Sequence, residues 1–150
     1  MNHNTDNFLI DNLSLQCGVI LSKANIVYKT YGELNSDKSN VILYPTSYGA
    51  QHQDIEWSIE PESILDPSQY FIIIPNMFGN GLSSSPSNHP DCKLTESGFY
   101  FTHLDNIRAQ KQLLDFLEIE TLALVYGWSM GAQQAYHWGA LYPDKNLSHY

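Results

Sequence analysis

The spacing of apolar residues changes near residue 40 and predicts two kinds of strand. In the first forty residues, apolar and polar positions alternate imperfectly, which predicts one or two half-exposed antiparallel strands at the edge of a sheet. Three later runs are short, continuously apolar and rich in β-branched residues. Such runs are typical of interior strands in a parallel sheet that helices cover on both faces. The three runs are residues 41–44, 71–74 and 122–126.

Two later segments have the periodicity of helices. Thr102 and Asp105 form a capping-box-like start, with a shorter acid in place of glutamate. Leucine or isoleucine then recurs on one face, at positions 104, 107, 114 and 117. A second helix is predicted from about Met130 to Tyr142, where Pro143 ends it.

The remaining segments complete the fold prediction. Residues 33–40 are polar and turn-rich, and residues 79–90 form a loop rich in glycine, proline and serine. Residues 54–65 are expected to be helical in part, with Pro61 dividing them. The order β, α, β, loop, α, β, α predicts an α/β, doubly wound fold, in which ligands bind at the carboxyl ends of the parallel strands.

Composition narrows the classes of function. Seven basic against sixteen acidic residues give a net charge of −9, so phosphate backbones and anionic membranes are poor partners. Cys17 and Cys92 lack metal-ligand spacing, which favours reduced thiols, a cytoplasmic location and no metal site. No apolar run is long enough to span a bilayer, and the N-terminus lacks the basic region of a signal peptide.

Residues 127–131, Gly-Trp-Ser-Met-Gly, stand between the third apolar run and the second predicted helix. A G-x-S-x-G motif between a strand and a helix is typical of a nucleophile elbow, a strained turn that lifts a serine hydroxyl clear of the backbone. The pattern predicts Ser129 as a catalytic nucleophile. It also predicts the backbone N–H of Met130 as a donor to an oxyanion.

A second oxyanion donor is expected after the first apolar run, because nucleophile-elbow hydrolases take one N–H from the loop behind an earlier strand. Here the donor is most simply Ser47, with Thr46 or Tyr48 as alternatives if the register shifts. Without the elbow, the same segment would be an ordinary glycine-containing turn. The glycine-rich loop 76–84 is interpreted as a wall of the site rather than a phosphate loop, since no lysine follows its glycines.

Several ordered segments point to one known family. They are residues 31–35, 45–49, 65–67 with 70–72, Asn76 with the loop after it, 105–110 and 129–131. On these segments the chain, from about Ile26 to its end, resembles the homoserine O-acetyltransferase family of α/β-hydrolase-fold acyltransferases.

The resemblance implies a ping-pong acyl transfer in methionine biosynthesis. Ser129 would take an acyl group from a small-molecule donor such as acyl-CoA, and an alcohol would then accept it. The N–H groups of Ser47 and Met130 would hold the oxyanion. The resemblance implies acyl-CoA as a co-substrate and no bound cofactor.

Three features depart from the family pattern. Trp128 and Ala132 stand where the family usually has glycine, and residues 45–47 read Pro-Thr-Ser where it commonly has His-Ala-Leu. A tryptophan beside the nucleophile changes the wall next to it. The chain therefore resembles a divergent branch, whose acceptor need not be homoserine.

The rest of a catalytic triad does not follow Ser129 within this chain. In this fold an acid and then a histidine follow the serine, but only 21 residues (150 − 129) remain after it. His137 lies about 12 Å along the predicted helix at 1.5 Å per residue, too far to act as the base. His52 follows the predicted oxyanion loop and is interpreted as an exposed residue at a helix start rather than as part of the pocket lining. Residues 1–150 are therefore expected to be the N-terminal part of a single α/β-hydrolase domain, nearly inactive alone, with a possible C-terminal partner chain.

Two other functions stay open. An esterase or other serine hydrolase would use the same elbow and let water take the acyl group. A non-catalytic remnant or binding fragment would keep the fold without the chemistry. A Rossmann dinucleotide domain is set aside, because no G-x-G-x-x-G follows the first parallel strand.

Overall fold

The computed structural model describes residues 4–92 and 98–145. Within these ranges, five strands form one mixed sheet in the order β1-β2-β4-β3-β5, with three α-helices packed against it. This architecture confirms the predicted α/β class. No helix in the two ranges is both long and apolar enough to cross a membrane. The elements are β1 (Asn4–Ser14), β2 (Ile20–Tyr31), β3 (Val41–Leu43), α1 (His52–Ile55), β4 (Phe71–Pro75), α2 (His103–Phe116), β5 (Leu124–Val125) and α3 (Met130–Leu141).

β1 and β2 form the antiparallel hairpin that the alternating pattern predicts at the edge of the sheet. Their register pairs Phe8 with Ile26 and Leu13 with Leu21. Gly18 lies in the turn between the strands, where its φ of +86° favours glycine. β2 then pairs antiparallel with β4, which joins the hairpin to the parallel part of the sheet.

The three continuous apolar runs form the parallel part of the sheet, as predicted. β3 pairs in parallel with β4 on one side and with β5 on the other. Because successive side chains on a strand point to opposite faces, Leu43 joins the core beneath α2 and α3, whereas Ile42 joins a second core on the other face. Ile55 of α1 and Leu65 from the following loop close that second core. Both faces of the parallel strands are therefore covered.

The two long helices are confirmed, and their starts match the prediction. Thr102 caps α2, and Asp105 completes the reciprocal capping box. The buried face of α2 differs in part from the predicted stripe. Leu113 is buried whereas Leu104 is half-buried, because the helix turns the buried amide of Gln110 toward α3.

The short helical segment begins earlier than predicted and ends sooner. α1 covers His52–Ile55, and a 3-10 turn follows at Glu56–Ser58. Residues 59–65 are not helical. The earlier start has a local cause, since Gln51 and Asp54 form a capping box at the first turn of α1.

Candidate active site

Ser129 lies at a strained turn between β5 and α3. Its φ and ψ are +55° and −127°, a conformation that residues other than glycine rarely adopt and that costs about 1–3 kcal/mol. The residue is exposed, and the first helical residue, Met130, follows it directly. This is the backbone geometry expected of a nucleophile elbow.

Close backbone contacts require both glycines of the motif. A Cβ on Gly127 would lie 2.4 Å from the carbonyl carbon of Gly131. A Cβ on Gly131 would lie 2.8 Å from the carbonyl oxygen of Pro45. Backbone atoms cannot swing aside as a long side chain can, so Gly127 allows the tight turn and Gly131 allows α3 to approach the loop after β3.

The loop after β3 is hydrogen-bonded directly to the elbow. The Ser47 hydroxyl donates a 2.8 Å hydrogen bond to the carbonyl oxygen of Trp128, the residue before Ser129. Ser47 is buried, and the bond joins residues 81 positions apart in the sequence. The structure therefore brings the three residues predicted for the site, Ser47, Ser129 and Met130, to one end of the sheet.

The backbone N–H groups of Ser47 and Met130 have no hydrogen-bond acceptor among the described residues. The N–H of Thr46, by contrast, donates to the carbonyl of Pro75 at 3.4 Å. That bond disfavours Thr46 as the alternative oxyanion donor, whereas the alternative at Tyr48 stays open. Unpaired N–H groups next to an exposed serine are what an oxyanion hole requires.

A buried chain of hydrogen bonds lies beneath the same loop. The Nε2 of Gln134 donates to the carbonyl oxygen of Thr46 at 3.0 Å, and the Nε2 of Gln110 donates to the Oε1 of Gln134 at 2.7 Å. The Nε1 of Trp138 donates to the Oε1 of Gln110 at 2.8 Å. The sequence prediction missed these residues. The available signal was a glutamine four positions before Trp138, on the face of α3 that must be buried.

Trp128 is 47% exposed directly beside Ser129. Nearby at the end of β3, the buried Tyr44 accepts a 3.2 Å hydrogen bond from the Ser58 hydroxyl. Burial raises the pKa of Tyr44, and the hydrogen bond with Ser58 opposes that rise. A large, exposed indole therefore stands next to the candidate nucleophile.

His52 begins α1, as predicted, but the prediction that it is exposed is wrong. The ring is buried, and its Nδ1 lies 3.1 Å from the Asn76 amide. Burial lowers the pKa of His52. The Oδ1 of Asn76 also accepts the backbone N–H of His52 at 2.9 Å, so one asparagine fixes both ends of this residue.

None of the four described histidines is hydrogen-bonded to Ser129. The Nε2 of His103 lies 2.9 Å from Gln133 Oε1, and its ring packs edge-on against His137 at 5.4 Å. The described residues also hold no group of three or more His, Cys, Asp or Glu side chains suited to a metal ion. Of the other histidines, His89 contacts the Lys23 carbonyl, and His3 and His149 lie outside the described residues.

The loop interpreted as a wall is held firmly to β2. The Ser83 hydroxyl accepts the N–H of Val27 at 3.0 Å, and the Ser84 hydroxyl accepts the N–H of Asn25 at 2.8 Å. No helix begins at the loop's glycines. The two serines therefore bind the backbone of β2, which agrees with a structural role for this loop.

Comparison with known proteins identifies the family of this chain. A family model described as alpha/beta hydrolase fold matches residues 40–147. The chain is 44% identical over 135 residues to an ethyl acetate hydrolase of Pseudomonas veronii, covering 88% of this chain and 38% of the relative. It is 39% identical over 152 residues to a homoserine O-acetyltransferase of Bradyrhizobium diazoefficiens, covering 91% of this chain and 38% of the relative.

A solved structure has a similar fold. An acetylester hydrolase from Corynebacterium glutamicum matches with a TM-score of 0.89 and 39% identity, over 97% of this chain and 43% of that chain. The chain therefore spans less than half the length of the relatives that it matches. The family match and the fold together place the chain in the alpha/beta hydrolase fold family.

Proposed function

We propose that this chain carries the nucleophile and the oxyanion hole of a serine-dependent acyl-transfer site that acts on small acyl esters. The observation that carries the proposal is the elbow itself. Ser129 has a strained backbone, and the preceding carbonyl is hydrogen-bonded to the loop that bears the unpaired Ser47 N–H.

In the first half of the reaction, the Ser129 hydroxyl attacks the carbonyl carbon of the ester. Its proton passes to a histidine base, and the negative charge on the carbonyl oxygen is stabilised by the N–H groups of Ser47 and Met130. The tetrahedral intermediate then expels the alcohol, which leaves with the proton from the histidine. An acyl group stays on the serine oxygen.

In the second half, we assign water as the preferred acceptor, so that the reaction is ester hydrolysis. Two features support this choice. The Pseudomonas veronii relative at 44% identity is named an ethyl acetate hydrolase. The bulky Trp128 also stands beside the nucleophile, where homoserine O-acetyltransferases usually have glycine.

The second candidate is acyl transfer to an alcohol, with acyl-CoA as donor. The 39% identity to a homoserine O-acetyltransferase supports it. The two activities share the first half-reaction and differ in what reaches the acyl-serine. Consumption of acetyl-CoA that requires an added alcohol such as homoserine would favour the transferase.

The proposal includes a second portion of protein that supplies the acid and the histidine. It rests on the order serine, acid, histidine in this fold and on the chain spanning 38% of two relatives. We assign the cytoplasm as the compartment, which the free thiols of Cys17 and Cys92 support.

The test starts from the native transcript, sequenced past the codon for Tyr150. If it encodes a late Asp and His, the joined protein is assayed. If it ends, this chain is coexpressed with the C-terminal portion of the Pseudomonas veronii relative. We call either protein the complete enzyme. It is expected to hydrolyse p-nitrophenyl acetate.

Ser129→Ala should lower kcat by about 10⁶, the scale seen for triad serines. The matched control, Ser14→Ala at the exposed end of β1, should leave kcat unchanged. A folded complete enzyme whose Ser129→Ala variant keeps full activity would contradict the proposal.

A further inference from the structure

Gln134 is a buried polar side chain that the proposed chemistry does not use directly. Its residue is 0% exposed, and its Nε2 reaches the carbonyl oxygen of Thr46 at 3.0 Å, across 88 residues of sequence. That carbonyl belongs to the peptide unit whose N–H is the Ser47 N–H. Gln134 therefore binds one end of a single rigid group, and the other end is the proposed oxyanion donor.

A peptide unit is planar, and in the trans form its C=O and N–H point in opposite directions. The described chain has no cis peptide bonds, so this geometry holds between Thr46 and Ser47. Anchoring the carbonyl fixes the direction of the N–H. A hydrogen bond to the carbonyl also polarises the group and makes its N–H a stronger donor.

The direction of the Gln134 amide is determined by its partners. The indole N–H of Trp138 can only donate, so the Oε1 of Gln110 must face it. The Nε2 of Gln110 then faces Gln134 and requires an acceptor there. This leaves the Nε2 of Gln134 to face Thr46. Flipping either amide would place two hydrogen-bond donors or two acceptors against each other among buried side chains.

We propose that Gln134 is a positioning residue for the oxyanion hole, and that Trp138 and Gln110 form a relay that sets its orientation. The relay rests on the proposed function, since it acts on the Ser47 N–H during acyl transfer. Gln134 touches neither substrate nor Ser129 in this role. Its effect is transmitted through the peptide bond between Thr46 and Ser47.

The main test is Gln134→Met in the complete enzyme, a substitution of similar length without a donor. Because the Ser47 N–H remains but is less well aimed, we expect kcat to fall by about 10- to 100-fold, less than the loss of a whole donor. KM should change by less than about twofold, since the ground-state ester makes weaker use of the donor. The affinity for a trifluoromethyl ketone inhibitor should fall with kcat.

A second variant separates positioning from a purely structural effect. In Gln134→Glu, a protonated carboxyl can donate its O–H to the Thr46 carbonyl, and an ionised one cannot. The ratio of variant to wild-type kcat should therefore rise as pH falls. The Ser47 amide ¹⁵N resonance should shift over the same pH range.

The matched control is Gln133→Met, the same substitution at the next position of α3, where the glutamine is exposed and contacts His103. It should leave kcat and the Ser47 resonance unchanged. Trp138→Phe keeps the aromatic packing and removes the first bond of the relay, so its loss of kcat should be smaller than that of Gln134→Met.

The outcomes distinguish the two proposals. An inactive Ser129→Ala enzyme with a fully active, folded Gln134→Met variant would overturn the relay and leave the proposed function standing. An active Ser129→Ala enzyme would overturn the proposed function. If Gln134→Met does not fold, a kcat ratio for Gln134→Glu that is independent of pH, with a Ser47 resonance that does not move, overturns the relay.

Discussion

The β1–β2 hairpin and the elbow at Ser129 lie at different positions in one sheet and depend on opposite kinds of geometry. The hairpin pairs two strands of 11 and 12 residues, and outer positions such as Leu9 are exposed. The elbow follows a strand of two residues and is crowded by backbone at Gly127 and Gly131. Many paired residues contribute to the stability of the hairpin, whereas the conformation of the elbow depends on a few positions.

The sharpest test of this comparison is one substitution made in both regions. Gly127→Ala would place a Cβ 2.4 Å from the Gly131 carbonyl carbon, so we expect a loss of about 3 kcal/mol or more in the free energy of unfolding. A Cβ at Gly18 would have no atom within 4 Å, so only the φ of +86° disfavours Gly18→Ala. We therefore expect this variant to lose about 1 kcal/mol in the free energy of unfolding. Urea unfolding of both variants measures the difference, and equal losses would contradict the comparison.

A second test relieves strain instead of adding it. Ser129→Gly should stabilise the fold by about 1 kcal/mol while removing the proposed nucleophile, because glycine adopts a φ of +55° freely. Asn12→Gly in β1 starts from a φ of +53°. Asparagine tolerates that region, so the gain there should be smaller. Thermal unfolding of the two variants measures both gains, and a larger increase in Tm for Asn12→Gly would contradict this interpretation.

The hairpin also has one link that acid should weaken. At the end of β2, the Tyr31 hydroxyl donates to Glu56, and Lys29 lies 3.3 Å from the same carboxylate. The hydrogen bond from Tyr31 is the main cause that holds the pKa of Glu56 below its ordinary value of 4.5, and Lys29 and His52 act in the same direction.

A lowered carboxyl pKa stabilises the fold above the ordinary value, and this contribution is lost as pH falls through the folded value. Because Glu56 is partly exposed, we expect less than about 1 kcal/mol. Urea unfolding of Tyr31→Phe should show a smaller loss of stability than the wild type as pH falls below 4.5. Equal losses of stability in the wild type and in Tyr31→Phe would show that the Tyr31–Glu56 hydrogen bond does not cause the acid sensitivity.

The smallest effect is expected on the outer face of the hairpin. Leu9 is 58% exposed, and threonine suits a strand as well as leucine does. Leu9→Thr should change the free energy of unfolding by no more than about 0.5 kcal/mol. A loss near that of Gly127→Ala would show that the hairpin, too, depends on single positions.

The elements that could be predicted are those whose signals are local. The apolar runs predicted the parallel strands, and the capping box at Thr102 predicted where α2 begins. The G-x-S-x-G motif predicted the turn at Ser129, and the fold rule for the earlier loop predicted Ser47 beside it. The assignment of catalytic roles to Ser129, Ser47 and Met130 stays a prediction.

The error at His52 and the omission of the two glutamines arise where distant segments meet. His52 is buried because Asn76, from the loop after another strand, binds it. Gln110 and Gln134 are buried because α2 and α3 pack side by side on one face of the sheet, where the Gln110 amide donates to Gln134. Neither pair of partners could be identified from the sequence, although the spacing of Gln134 and Trp138 on one face of α3 indicates that Gln134 is buried.

The hydrogen bond between Ser47 and Trp128 also determines when the site can form. Its partners are 81 residues apart, so a ribosome that has made β1 to β4 has made only one side of the proposed oxyanion hole. Closing a loop of that length costs about 2 kcal/mol more than closing one of ten residues, and nothing is gained before α3 is present. The nascent chain can therefore build its sheet edge early, while the candidate nucleophile Ser129 is made late and the proposed oxyanion hole forms only then.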